Sequence, residues 1–257
     1  MQLAFLDSWI IPAQSDTKDL ENLSFFGTAE AIIAPSLEPN ADLLSRWEKL
    51  VTKERERALR AGITPYMTLG LPAEVLPKRS WKELLAQLEQ LLTQYKLHAL
   101  GPISLGTLPR HQGALTAQLA LAAAHQLPCV IALPARGKLP AIAAVTALAS
   151  QANLPTARLA FLHCNGRALV KARALGAYSI ITIHPDYLKA KHAVSLIKRQ
   201  GLDRVMLASG LGMGPCDVLA LQKVALALGK DGVSNEDILL ATRENARRFL
   251  GLTQPQE

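Results

Sequence analysis

Aromatic side chains are scarce in this chain: Phe, Trp and Tyr make up only 5% of its 257 residues. Its core must therefore be packed from Ala, Leu, Ile and Val, within an apolar share of 49%, which favours helices lying closely on other elements. Cysteine is rarer still. Cys129, Cys164 and Cys216 are far apart and match no zinc spacing. An odd count with no secretion signal points to reduced thiols and a cytoplasmic protein. The N-terminus reaches Asp7 too soon for a signal peptide. No apolar run is long enough for a membrane-spanning helix. There is no linker, low-complexity segment or tandem repeat, so residues 1–257 are expected to form one domain.

Acids are outnumbered, with 28 Lys and Arg against 21 Asp and Glu, a net charge of +7. Such a balance suits an anionic ligand, nucleic acid or a membrane surface. The cations are scattered over the helical stretches, however, and the densest run, Lys53 to Arg60, alternates with Glu54 and Glu56. That is the pattern of a solvated surface, and no nucleic-acid-binding motif accompanies it.

What the chain does have is a regular alternation. Short apolar runs that read as strands are Gln2–Leu6, Ala29–Ile33, Pro65–Leu69, His98–Ile103, Cys129–Leu133, Arg158–His163, Tyr178–Ile183 and Val205–Leu207. Helical stretches separate them: Asp19–Phe26, Ala41–Ala61, Trp81–Tyr95, Gly113–His125, Pro140–Ala152, Gly166–Leu175, Tyr187–Gln200 and Cys216–Leu228, with a final one at Ser234–Leu250. Asn40, Ser80 with Glu83, Asp186, and Ser234 with Asp237 stand where helix caps are expected. Gly62, Gly176, Gly201 and Gly251 stand where helices stop. Eight strands each followed by a helix predict a (β/α)8 TIM barrel, with a doubly wound open sheet as the alternative. In a barrel, ligands sit at the C-terminal strand ends.

Several segments, taken in order, resemble the TatD-type metal-dependent hydrolase family of amidohydrolase-like barrels. Arg204-Val-Met-Leu-Ala-Ser-Gly210 and Gly214-Pro-Cys-Asp217 look like its eighth strand, loop and next helix. Ile238–Gly251 looks like its terminal helix, with Asn245 ahead of a hydrophobic end. Tyr66–Pro72, Ala99–Leu105 and Leu127–Pro134 look like its third, fourth and fifth strands. The resemblance implies hydrolysis of phosphoester-type bonds by one or two divalent metals, which generate hydroxide and polarise the scissile group. It also implies a set of ligands: a His-x-His after strand one, a Glu after strand four, His residues after strands five and six, and an Asp after strand eight. At those places this chain has Asp7-Ser8-Trp9, Pro102, Ala132, His163 and Gly210. One ligand survives, His163, and catalytic zinc needs about three from the protein. Trp9 has the size to fill volume that metals would otherwise occupy.

Other strand-end residues carry chemistry of their own. His163 and His184 are candidate catalytic groups, as a base or an acid–base pair with Asp7 or Ser209. Cys164 is a candidate nucleophile, with a buried, inert thiol as the plainer reading. Neighbours on a strand face opposite ways, so His163 and Cys164 should not share a face. For an anionic ligand the candidates are Asp7, Ser209, Gly212, Gly214 and Arg136, with Arg110, His111 and Lys138 adding positive charge around the mouth. The plainer reading of these loops is inherited glycine and solvated charge. The expected function is a TatD-like fold that has lost its metal centre, needs no cofactor, and binds an anionic small molecule or a protein partner. The alternatives are a metal-dependent phosphoester hydrolase with a remodelled site, using a divalent metal, or a metal-free lyase or isomerase built on His163 and His184.

Overall fold

In the computed structural model, residues 3–38 and 42–252 are described. Eight parallel strands run in sequential order, β1 to β8: Phe5–Ile10, Thr28–Ile33, Thr64–Leu69, Ala99–Ser104, Cys129–Ala132, Leu159–Leu162, Tyr178–Thr182 and Val205–Ala208. Helices intervene: α1 (Thr17–Phe25), α2 (Leu43–Lys49), α3 (Arg55–Arg60), α4 (Trp81–Gln94), α5 (Pro109–Ala124), α6 (Lys138–Gln151), α7 (Gly166–Ala174) and α8 (Ala190–Gln200). After β8 come α9 (Ala220–Lys230), α10 (Asn235–Leu239) and α11 (Asn245–Phe249). The architecture is the (β/α)8 barrel that the alternation predicts.

Two-residue periodicity divides each strand between two layers. Met206 and Ala208 face the barrel interior, where they pack with Leu6, Ile32, Val130 and Ile180. Val205 and Leu207 face outward under the helices, against Val224 and Ile197. All four are fully buried. Strands covered on both faces are continuous apolar runs for this reason. None of the described helices is long and apolar enough to cross a membrane.

The N-terminal end of the barrel is plugged by the last helices. Phe249 and Leu250 join the interior cluster, and the Asn245 amide donates to the carbonyls of Leu202 and Val205, each at 2.8 Å. Glu30, on β2 and 5% exposed, accepts from Arg243 Nε at 2.8 Å and from Arg247 at 2.5 Å, and Tyr66 O–H donates to it. A carboxylate so buried is tolerated because two guanidinium groups and a phenol satisfy it.

Several boundaries differ from the sequence reading. β1 begins at Phe5 and runs through Asp7, Ser8 and Trp9 to Ile10, so these polar residues lie within the strand and not beyond it. Gln2 and the expected cap Asn40 lie outside the described residues; α2 is capped by Asp42, whose carboxylate accepts from Ser45 N. Ser80 makes no side-chain cap on α4. Asp186 caps nothing either, because α8 starts later, behind Lys189. α9 starts at Ala220 and not at Cys216, since Asp217 turns its carboxylate to Leu219 N at 3.0 Å. The Ser234 cap is formed, with Asp237 N donating to its hydroxyl at 3.1 Å.

Removing the Asn245 amide would take the side-chain donor from the buried Val205 carbonyl at the base of β8, while the Leu202 carbonyl keeps the Val205 N–H at 3.1 Å. We expect Asn245→Ala to cost about 1–3 kcal/mol, the range for one buried group left unsatisfied. This would be read as a lower midpoint in urea unfolding, and a midpoint equal to that of the parent chain would refute the anchoring role.

Candidate functional site

The C-terminal mouth is built around the junction of β1 and β8. Among the described residues these two strands form no ladder pairing, unlike every other neighbouring pair. Side chain and loop close the gap. Asp7 Oδ1 accepts from Ser209 N at 3.0 Å and from Trp9 N at 3.2 Å, and Oδ2 lies 3.3 Å from Ser209 N. One turn further up, Ile11 N donates to Leu211 O at 2.7 Å. Gly212 allows this contact. It has φ +85°, and a Cβ there would sit 2.1 Å from the Ile11 carbonyl oxygen, so no other residue fits without moving the loop.

Asp7 and Ser209 are fully buried. Burial pushes the Asp7 carboxyl up to about 6, against the pull of hydrogen bonds from Ser209 and Trp9. Trp9, 2% exposed, packs into the barrel interior with Leu6, Ile32, Ala34 and Ala208. Leu6 and Trp9 are three residues apart and would normally face opposite ways. A register irregularity in β1 between Asp7 and Ile10 turns Trp9 inward.

The second cluster lies across β6 and β7. His163 follows β6 with a left-handed backbone, φ +63°. Its Nδ1 lies 2.9 Å from Thr182 Oγ1. Its ring stacks on Tyr187, with centroids 3.9 Å apart and planes at 8°. Burial, helped by the charges of Lys138 and His184, pushes the imidazole down to about 3, so it is neutral at physiological pH. His184 follows β7 and is 2% exposed. Its Nδ1 accepts from Asp186 N at 3.2 Å, which leaves the proton on Nε2, and Nε2 has no hydrogen-bond partner among the described residues. The two histidines thus share one neighbour, Tyr187, whose ring centroid is 6.0 Å from that of His184. Cys164 is buried beside them, its thiol donating to Phe161 O at 3.2 Å. Burial pushes that thiol up to about 12. It is a neutral thiol and not a nucleophile at physiological pH.

The sequence candidates thus fall into separate places. Asp7 and Ser209 meet; His163 and His184 meet across Tyr187. The glycine loop folds on itself, with Leu211 N donating to Ser209 Oγ and Met213 N to Gly210 O. Gly212 and Gly214 border a shallow depression with Ile11 and Gln14. Arg136 is exposed on the loop after β5. The sequence reading missed the parts played by Thr182 and Tyr187. An aromatic residue three positions after His184 was the available signal.

The metal set implied by the resemblance does not fit this mouth. The Asp7 oxygens are turned to backbone amides, Trp9 occupies the interior, and Pro102, Ala132 and Gly210 have no side-chain donor. Among the described residues, no group of three or more His, Cys, Asp or Glu could hold a metal ion.

Comparison with known proteins places this geometry. No family model matches the chain. It is 26% identical over 242 residues to an uncharacterized metal-dependent hydrolase of Methanocaldococcus jannaschii, covering 91% of this chain and 95% of that protein. Among solved structures, it is similar to a TatD-like protein from Archaeoglobus fulgidus, with a TM-score of 0.80 and 22% identity over 96% of this chain and 100% of that one. It is also similar to a phosphotriesterase homology protein from Escherichia coli, which was solved with phosphate in its active site. There the TM-score is 0.76 and the identity 15%, over 97% of this chain and 99% of that one.

The raised Asp7 carboxyl makes a testable link to stability. The folded state binds this proton more tightly than the unfolded chain, whose carboxyl sits near 3.8. The stability it contributes is therefore full below about pH 4 and lost as pH rises through about 6. A shift of about two units corresponds to roughly 2–3 kcal/mol. Asp7→Asn should flatten this part of the profile, so that urea midpoints of variant and parent differ more at pH 8 than at pH 4.5 in the variant's favour. Parallel profiles for the two proteins would show that Asp7 does not titrate in this range.

Proposed function

We propose that this chain, a TatD-type, amidohydrolase-like TIM barrel, is a cytoplasmic, metal-free member of that fold that acts as a binding or scaffold protein and not as a metal-dependent hydrolase. The observation that carries the reading is the state of Asp7 and Trp9. A barrel that kept a dinuclear metal site would need open space and free donors at this end of β1. Here the carboxylate is spent on the Ser209 and Trp9 amides, and the indole fills the interior. Catalytic zinc takes about three protein ligands and an open position. His163 alone, its Nδ1 already held by Thr182, does not supply that set.

A second reading rests on one different observation. His163 and His184 flank Tyr187, and the His184 Nε2 is buried without a hydrogen-bond partner among the described residues. A neutral imidazole beside a buried N–H donor forms the base–donor pair that proton transfer on a bound carbonyl compound needs, as in a metal-free lyase or isomerase. The burial that holds His163 down to about 3 makes it a weak base, however, and places this reading second. In that reading His163 is the base and His184 the donor.

The experiment is metal analysis of protein purified from zinc- and manganese-supplemented cells, paired with thermal melts and a phosphodiester assay. The expected result is far less than one metal per chain, no rise in Tm on adding either ion, and hydrolysis at the blank rate. A tightly bound ion would raise Tm by mass action. Stoichiometric metal, with hydrolysis lost in His163→Ala, would overturn the proposal.

A further inference from the structure

The loops after β5, β6 and β7 enclose a cavity of about 230 Å³, lined by Lys138, His163, Cys164, Asn165, Asp186 and Tyr187. Neither Asp7 nor the glycine loop contributes to it. We propose that this cavity binds a small oxyanion, a phosphate or a short carboxylate, with Lys138 as its counter-charge and His163 as a directional hydrogen-bond donor. The inference rests on the metal-free reading above, because an ion held by His163 would occupy the nitrogen that the anion needs.

Lys138 is the first ground. It is partly buried, and no hydrogen bond or ion pair engages its amine among the described residues. Burial lowers its proton affinity. It is also the first residue of α6, a helix of 14 residues with no acid in its first turn and no side-chain cap. Helix N-termini carry partial positive charge and favour anions over cations. A partly desolvated lysine at that position is unfavourable on each of these counts, and among the described residues only the neighbouring Cys164 sulfur acts in the opposite direction. A bound anion would offset them together.

His163 is the second ground. Its ring is fixed by the stack on Tyr187 and by Thr182. Its left-handed backbone is uncommon for a residue with a side chain and is held by its surroundings. In the tautomer whose Nδ1 accepts from the Thr182 hydroxyl, the neutral imidazole carries its proton on Nε2 and can donate it to an anion, and a bound anion favours that tautomer. The remaining walls are compatible. Cys164 is an uncharged thiol. The Asp186 side chain is 80% exposed, so water screens the one carboxylate at the rim. The volume is below the roughly 300–1,000 Å³ of drug-sized pockets, which restricts the ligand to a few heavy atoms and leaves no room for a nucleotide.

The test is calorimetric titration of the full-length protein with inorganic phosphate and, separately, with acetate, at low ionic strength. We expect saturable one-to-one binding of at least one of them, weakened about tenfold or more in Lys138→Met, the loss of a charge-assisted contact. Lys171→Met, which makes the same change in net charge on an exposed helix position, should bind as the parent does. Lys138→Gln serves as a second variant, and thermal melts confirm that both are folded. No saturation into the tens of millimolar, or equal affinity in the Lys138 and Lys171 variants, overturns the proposal. Metal content is read separately. A metal-free protein that binds no anion sinks this inference alone, whereas a metal-bearing one sinks the reading it rests on.

Discussion

The mouth of this barrel depends on one hydrogen-bonded carboxylate. β1 and β8 are joined by no ladder, and Asp7 bridges them through the Ser209 amide. A parallel barrel must satisfy the backbone groups at its last seam or leave them exposed, and an unpaired buried amide costs about as much as a lost hydrogen bond. Here a side chain does that work. The consequence is chemical as well as structural: both oxygens of this buried carboxylate already face backbone N–H groups, Oδ1 those of Ser209 and Trp9 and Oδ2 that of Ser209, which weakens it as a metal donor. The same contact that closes the fold weakens a metal donor.

The neighbouring residues follow from this. The irregularity in β1 that lets Asp7 reach β8 also turns Trp9 inward. An indole in the barrel interior leaves little room for an ion and its ligands, and the glycine at 212 lets the β8 loop settle on Ile11. The amides of Leu211 and Met213 are then used within the loop. The loss of donors at Pro102, Ala132 and Gly210 is consistent with a mouth whose centre is packed. It moves the polar, accessible chemistry sideways, to β6 and β7.

The architecture was legible in the sequence because it rests on a repeated signal. Parallel strands buried on both faces are unbroken apolar runs, and the eight of them alternate with helices along the whole chain. β1 was the strand read least well. Asp7 and Ser8 look like the end of a strand, since burial of an acid needs a partner, and that partner lies 202 residues away. The inward turn of Trp9 depends on a broken period that no local pattern announces. The helix starts after β7 and β8 differ for a related reason: Asp186 stands where a cap is expected and Asp217 within the expected first turn, yet each sits in a turn ahead of its helix.

The histidines show where sequence reading stops. His163 and His184 stand 21 positions apart, and adjacency of β6 and β7 around a barrel is enough to bring them near each other. It does not tell what they touch. The stack on Tyr187, the bond to Thr182 and the burial that holds His163 neutral are tertiary facts. They matter for function because a neutral, fixed imidazole is a poor relic. If His163 were only a leftover ligand, nothing would require two further side chains to hold its ring or a non-glycine residue to keep a left-handed backbone. Packing alone could be met more cheaply by a leucine. The restraint on His163, with Lys138 unpaired among the described residues in the same cavity, is what supports the proposal of a binding surface there.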